Sequence, residues 1–123
     1  MINNILLVGL GGGLGSIARY FCQRWVNYHW AHHFYMGTLL VNIIGCFLIG
    51  IFWGLTFRSF EGNEHWKLFL MTGLCGGFTT FSAFTLESMG LLKENRVGLF
   101  LFYIAGSVIL GLLATYAGIK ISR

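Results

Sequence analysis

Apolar residues arrive along this chain in four long runs parted by short polar clusters. Three runs carry no charge at all: Tyr35 to Phe57 (23 residues), Leu68 to Leu86 (19 residues) and Val97 to Ile119 (23 residues). A fourth begins at Met1, reaches Ala18 without a charge and continues past Arg19 toward Val26. A helix rises about 1.5 Å per residue, so about 20 residues cross a hydrocarbon core about 30 Å thick, and each run is long enough to span. The pattern predicts an all-α membrane protein: four transmembrane helices forming a single domain over residues 1–123, with little chain left for loops.

One stretch breaks the monotony. From Thr72 to Glu87 the third run holds a Gly pair (Gly76, Gly77), then four hydroxyl side chains (Thr79, Thr80, Ser82, Thr85), and three phenylalanines (Phe78, Phe81, Phe84). Such a segment can break in mid-bilayer, with donors and ring edges pointing one way. Broken backbone is tolerated at that depth only when buried in protein or lining a polar cavity. The third span is therefore expected to be interrupted near the Gly pair, and that is where function is sought.

Composition agrees with the pattern. The 123 residues are 56% hydrophobic and only 10% charged, with a mean hydropathy of +0.73, 18 Gly and no Pro; a soluble domain would carry about 25% charged residues. The first run resembles a secretory signal in its small residues Gly15, Ser16 and Ala18, but a signal places its positive charge before the apolar region and here Arg19 follows it. Cys22, Cys46 and Cys75 are odd in number and lie in or beside spans, so they read as small buried hydrophobes without a disulfide framework or metal spacing.

The charges also bear on orientation. With four spans, Arg58, Lys67, Lys120 and Arg123 share one side, and Arg24, Lys93 and Arg96 the other. The positive-inside rule needs a clear excess, and four against three is none. A chain without orientation preference can insert both ways up, and opposite copies can pair about an axis in the membrane plane, a two-chain version of the inverted repeats of transporters. The alternative is an accidental balance, with insertion fixed by other means. Four short helices enclose little space alone, which also favours an oligomer.

Gly9 with Gly13, Gly11 with Gly15, and Gly73 with Gly77 have the GxxxG spacing that lets helices approach closely in lipid. Gly13, Gly15 and Ala18 also fit a dinucleotide-binding pattern, but that motif needs a preceding strand and an acidic residue about 20 positions on. The chain has no Asp, and its first Glu is Glu61; nothing in the sequence suggests nucleic acid or nucleotide.

Several polar residues do not belong in oil. Asn42 lies about 10 Å inside the second span on a helical rise, where an unpaired amide costs about 1–3 kcal/mol; it is either interhelical glue or a donor to something passing. Arg19 either snorkels to the interface or forms a positive vestibule that gathers anions. Phe81 and Phe84 share a helical face, with Ser82 and Thr85 as a neighbouring pair at the same spacing. An aromatic ring has an electropositive edge, so rings presented edge-on offer a water-free contact to a small anion; plain packing is the other reading. Glu61, Glu64 and Glu94 fall in loops and Glu87 at the edge of the third span, which leaves no carboxylate deep in the membrane. Proton-coupled pumps and exporters of organic cations generally keep one there, and a passive anion path needs none. The histidines His29, His32, His33 and His65 all fall in predicted loops, and none pairs with Cys, Ser or carboxylate at catalytic spacing, so no enzyme is expected.

The run Gly76, Gly77, Phe78, Thr79, Thr80, Phe81, Ser82, Ala83, Phe84 with Glu87 resembles the signature of the Fluc (CrcB) fluoride channels. So do Gly37, Thr38, Leu39, Val41, Asn42 and Gly45, and Gly12, Leu14, Gly15, Arg19 and Tyr20, over essentially the whole chain. The resemblance implies an antiparallel, dual-topology homodimer in the bacterial cytoplasmic (inner) membrane, with two pores that pass fluoride passively outward and reject chloride. It implies that Phe81 and Phe84 flank the anion, that Asn42 faces the pore as a donor, and that Arg19 lies in the vestibule. Ser82, Thr85, Tyr103 and Ser107 become further polar contacts, the last two by position more than by motif. It also implies a structural sodium ion on the dimer axis, held by backbone carbonyls of Gly76 and Thr79. A small multidrug exporter of the same length lacks support, since the first span has no carboxylate. A noncatalytic assembly subunit would explain the GxxxG faces but not the cluster of Gly, Thr, Phe and Ser.

Overall fold

In the computed structural model, which describes residues 1–29, 36–56 and 64–123, four helical segments are long and apolar enough to cross a membrane. Helix α1 runs Ile2–His29 and α2 Met36–Leu55. The third segment, Glu64–Lys93, is a composite. It opens with one turn, α3 (Glu64–Lys67), winds as a π-helix over Leu68–Cys75, returns to α geometry in α4 (Gly76–Phe78), breaks, and resumes as α5 (Phe81–Lys93). Helix α6 (Val97–Ser122) completes the chain.

The first, third and fourth helical segments outrun their charge-free runs because charged residues at helix ends reach the headgroup region without stopping the backbone hydrogen bonds. Three expectations change as a result. Glu87 lies inside the third span, about 9 Å from its Lys93 end on a helical rise, and not at its edge. Glu64 and His65 begin α3, and His29 ends α1, so none of these three is in a loop, although all remain exposed. Tyr35, His32, His33, Phe57, Arg58 and Glu61 lie outside the described residues.

Small residues decide which helices touch. A Cβ on Gly11 would sit 3.0 Å from Gly73 Cα, and one on Gly77 would strike Gly12 backbone, so the Gly11–Gly15 and Gly73–Gly77 pairs hold α1 against the π-helical segment and α4. Gly9 and Gly13 meet nothing within 4 Å, so the first GxxxG pair plays no part in packing within the chain. The most extensive helix contact, α2 on α6, went unread in the sequence: Gly50 lies on the Thr115 carbonyl, Gly118 on the Phe47 carbonyl, and Thr115 Oγ1 donates to the Cys46 carbonyl at 3.0 Å. The α5–α6 reversal is tight. Asn95 takes a left-handed conformation (φ 59°), and the amides of Asn95 and Arg96 donate to Leu92 and Leu91 carbonyls at 3.1 and 3.0 Å, closing α5 in a Schellman motif.

Val41, Leu91 and Thr38 are the most deeply buried side chains, while Leu10, Phe21, Phe102 and Leu112 are among many large apolar ones that face outward. In water that surface would drive aggregation; against acyl chains it is the expected exterior, and close packing does the work of association.

Candidate functional site

The site is built around an interruption, and the interruption is made by threonines. Gly76, in the glycine pair where the break was expected, keeps helical angles (φ −61°, ψ −40°). The backbone leaves the helix at Thr79 (φ −90°, ψ 160°) and Thr80 (φ −146°, ψ 119°). Thr80 then caps α5, its Oγ1 accepting from the Ala83 amide at 3.2 Å. Gly77 serves a different purpose, close approach to α1, while a Cβ on Gly76 would meet nothing within 4 Å.

Breaking a helix in lipid exposes peptide groups that must be paired. Asn42, reaching across from α2, pairs those of Thr80 in both directions. Its Nδ2 donates to the Thr80 carbonyl at 3.1 Å, and its Oδ1 accepts from the Thr80 amide at 2.9 Å. Arg19 turns inward from α1 and Nε donates to the Gly77 carbonyl at 3.1 Å, with Ser16 Oγ at 3.5 Å from the same oxygen. Thr79 Oγ1 donates to the Cys75 carbonyl at 3.0 Å. The glue reading of Asn42 is thus the one visible within the chain, and Arg19 is half-buried against the break instead of extended to the membrane surface.

Two carbonyls are affected differently. In a continuous helix, Gly76 and Thr79 would accept from the amides of Thr80 and Ala83; here those amides are turned to Asn42 Oδ1 and Thr80 Oγ1. The carbonyl pair left by this exchange is a hard-oxygen donor set, chemically suited to an alkali cation.

Beside the break lies an open cavity of about 450 Å³ between α2, the third segment and α6. Asn42, Thr79, Thr80, Phe81, Phe84 and Ser107 line it. Ser107 Oγ is buried there without a hydrogen-bond partner, a buried polar group of the kind that calls for an explanation. The rings form a row: Phe81 and Phe84 have centroids 5.9 Å apart with planes tilted 43°, and Phe84 and Tyr103 have centroids 5.2 Å apart with planes tilted 48°. Phe81 is 76% exposed, whereas Phe84 is half-buried. Ser82 and Thr85 lie on the exposed side of α5; Thr85 Oγ1 donates to the Ser82 carbonyl at 2.9 Å and Ser82 Oγ lies 3.4 Å from Thr80 Oγ1. The structure therefore gathers Asn42, Phe81, Phe84 and Ser107 at one cavity, with Tyr103 adjoining through Phe84, and leaves Ser82, Thr85 and Arg19 off its lining.

A polar network next to these rings was missed in the sequence. Gln23 Nε2 donates to Thr38 Oγ1 at 3.2 Å, Thr38 Oγ1 donates to Glu87 Oε1 at 2.7 Å, and Tyr103 Oη donates to Glu87 Oε2 at 2.9 Å. One carboxylate thereby ties α1, α2, α5 and α6 together. Because Glu87 follows Phe84 by three residues, fixing the carboxylate fixes the rotation of α5 that sets Phe84 against Tyr103. The available signal was that spacing: a carboxylate on the Phe84 face, one turn on.

Comparison with known proteins matches residues 6–119 to the family model described as CrcB-like protein, Camphor Resistance (CrcB). The chain belongs to the CrcB family. Its relatives include proteins named fluoride-specific ion channel FluC from Flavobacterium psychrophilum, 43% identical over 99% of this chain and 98% of that one, and from Pseudomonas fluorescens, 44% identical over 100% and 99%. One from Phocaeicola vulgatus is 46% identical over 99% of this chain and all of its own length. The match to the CrcB model takes in most or all of each span, the Thr79–Thr80 break and every residue of the cavity lining.

Proposed function

We propose that this chain is a fluoride channel of the cytoplasmic membrane, working as an antiparallel pair, and that fluoride travels along the cavity beside the broken third span. The observation that carries the reading is the row Phe81, Phe84, Tyr103 beside an unpartnered Ser107 hydroxyl, at the one place where the span gives up its helix. Ring edges are electropositive and cannot supply a proton, so they stabilise a partly dehydrated halide without trapping it. Ser107 Oγ supplies a hydrogen-bond donor on the same route. Asn42 acts by keeping Thr80 and the start of α5 in place. Arg19, bound near the break, contributes positive potential that raises the local anion concentration. Ser82 and Thr85, exposed on a single chain, belong to the route in the paired state.

The balanced charges of the two faces support the antiparallel pair. In such a pair the third-span breaks of two copies meet, and the Gly76 and Thr79 carbonyls of both would hold a sodium ion, which supplies charge compensation for four oxygens and is not transported. The donor set fits that ion, as hard carbonyl oxygens freed of their helical amides.

Transport itself requires no catalytic group and no chemical energy source. Hydrogen fluoride enters as a neutral acid and ionises in a near-neutral interior; a membrane potential negative inside then drives the anion out, at about 2.3 kcal/mol per charge per 100 mV. The test is cellular. Bacteria lacking fluoride export should regain growth in fluoride medium when they express the chain, and should not regain it with Phe81→Ala produced at equal level. Equal rescue by that variant would remove the ring row from the pathway.

A further inference from the structure

The cavity has a second chemistry that halide passage does not use. Its wall beyond the rings carries three sulfur side chains: Cys46 from α2, and Met71 and Cys75 from the π-helical segment. Met71 and Cys75 are four residues apart, and in a π-wound turn of more than four residues this spacing keeps them on one side. Cys75 is buried at 2% exposure, and Cys46 is half-buried with its Sγ 3.4 Å from where a Cβ on Gly111 would lie, which seats the thiol against α6.

We infer that Cys46, Cys75 and Met71 form a binding site for a soft monovalent d¹⁰ cation, Cu⁺ or Ag⁺, whose occupancy closes the anion route. Thiolate and thioether sulfur select such ions. Among the described residues no three His, Cys, Asp or Glu side chains come together, so no imidazole- or carboxylate-rich site competes for the ion. On binding, each thiol releases its proton to water as its sulfur–metal bond forms, so two thiols and one monovalent cation become a bis-thiolate complex carrying one negative charge, plus two protons. The thioether of Met71 adds a neutral third ligand. A fixed negative charge inside a low-dielectric cavity repels a passing anion, so the complex blocks by charge as well as by volume. The block rests on the proposed fluoride reading of this cavity; the metal site does not.

Silver is the probe, because it binds sulfur without redox chemistry. Purified full-length protein is exposed to Ag⁺, washed, and analysed for retained silver by mass spectrometry, in native form and as Cys22→Ser, Cys46→Ser, Cys75→Ser and Met71→Leu. One silver ion per chain is expected for the native protein and for Cys22→Ser, weaker retention for Met71→Leu, and none for either of the other two. Cys46→Ser keeps the test valid if the buried Cys75→Ser fails to fold. In parallel, fluoride efflux from liposomes is measured with and without Ag⁺, each variant against its own silver-free rate. Loss of most of the native flux, with little loss in Cys46→Ser, is expected. Silver that stays with Cys46→Ser or that leaves with Cys22→Ser overturns the site, and silver bound at these sulfurs with undiminished flux overturns the block. Native protein that binds silver but passes no fluoride before its addition overturns the channel reading and leaves the site standing.

Discussion

At the residue scale, Asn42 and Thr80 carry the most structural consequence for the least surface. A single carboxamide occupies both the amide and the carbonyl of one peptide that lies outside any helix. Removing it leaves both groups unpaired in a medium without water, at about 1–3 kcal/mol each. Asn42→Ala should therefore lower the melting temperature in detergent as well as fluoride flux, measured on the same preparation. A pore contact with no structural duty would lose flux at unchanged melting temperature, and that outcome would refute the clamp. Phe81 makes the opposite prediction, because its ring, although it meets Phe84, is mostly exposed. Phe81→Ala should unfold at the native temperature and lose most of its flux. The sequence singled out Asn42, Phe81 and Phe84 because an amide and paired rings are conspicuous in an oily run. It concealed Glu87 and Gln23, since a carboxylate six residues short of Lys93 looks like a helix end until the helix is seen to continue. Which partner a buried polar side chain takes depends on helix rotation, and composition does not set rotation.

At the scale of elements, the third span is interrupted by side chains that compete with its backbone. Thr80 takes the Ala83 amide, Asn42 takes the Thr80 amide, and helical pairing cannot pass that point. Thr80→Val keeps the shape and removes the cap, a change that costs about 0.5–2 kcal/mol; Thr80→Ser should restore most of it, as read from thermal unfolding of the three proteins. The glycines divide by what they meet. A side chain on Gly15 would drive into the backbone at Leu74 and Phe78, whereas one on Gly9 would meet nothing within 4 Å. Gly15→Ala should yield little folded protein and Gly9→Ala a normal amount, judged by size-exclusion profile. The four spans could be read directly from the hydrophobic runs. The exact point of the break could not, because Gly76 and Gly77 signal flexibility in general, and only the helical angles of Gly76 and the packing of Gly77 on α1 show that it is not used.

At the scale of the whole molecule, the features converge on a thin bundle whose interior is largely taken up by glycine-mediated contact. Its cavity is open on one side and its outer surface is apolar nearly all round, so a second copy would complete the walls of a pathway that one chain only begins. The near-equal basic charge of the two faces gives that copy no reason to share orientation. Two Lys added near Lys93 should bias insertion to one direction and reduce flux, and co-expression with a variant biased the other way should restore it. Full activity of one biased chain alone would exclude antiparallel pairing.

The most direct test of the account is the release of ions from liposomes that hold purified native chain, followed with a fluoride electrode and, in matched vesicles, a chloride electrode. The account predicts rapid fluoride release once a counter-ion path is opened, with chloride retained. Retention of both ions, or release of chloride as fast as fluoride, would contradict it.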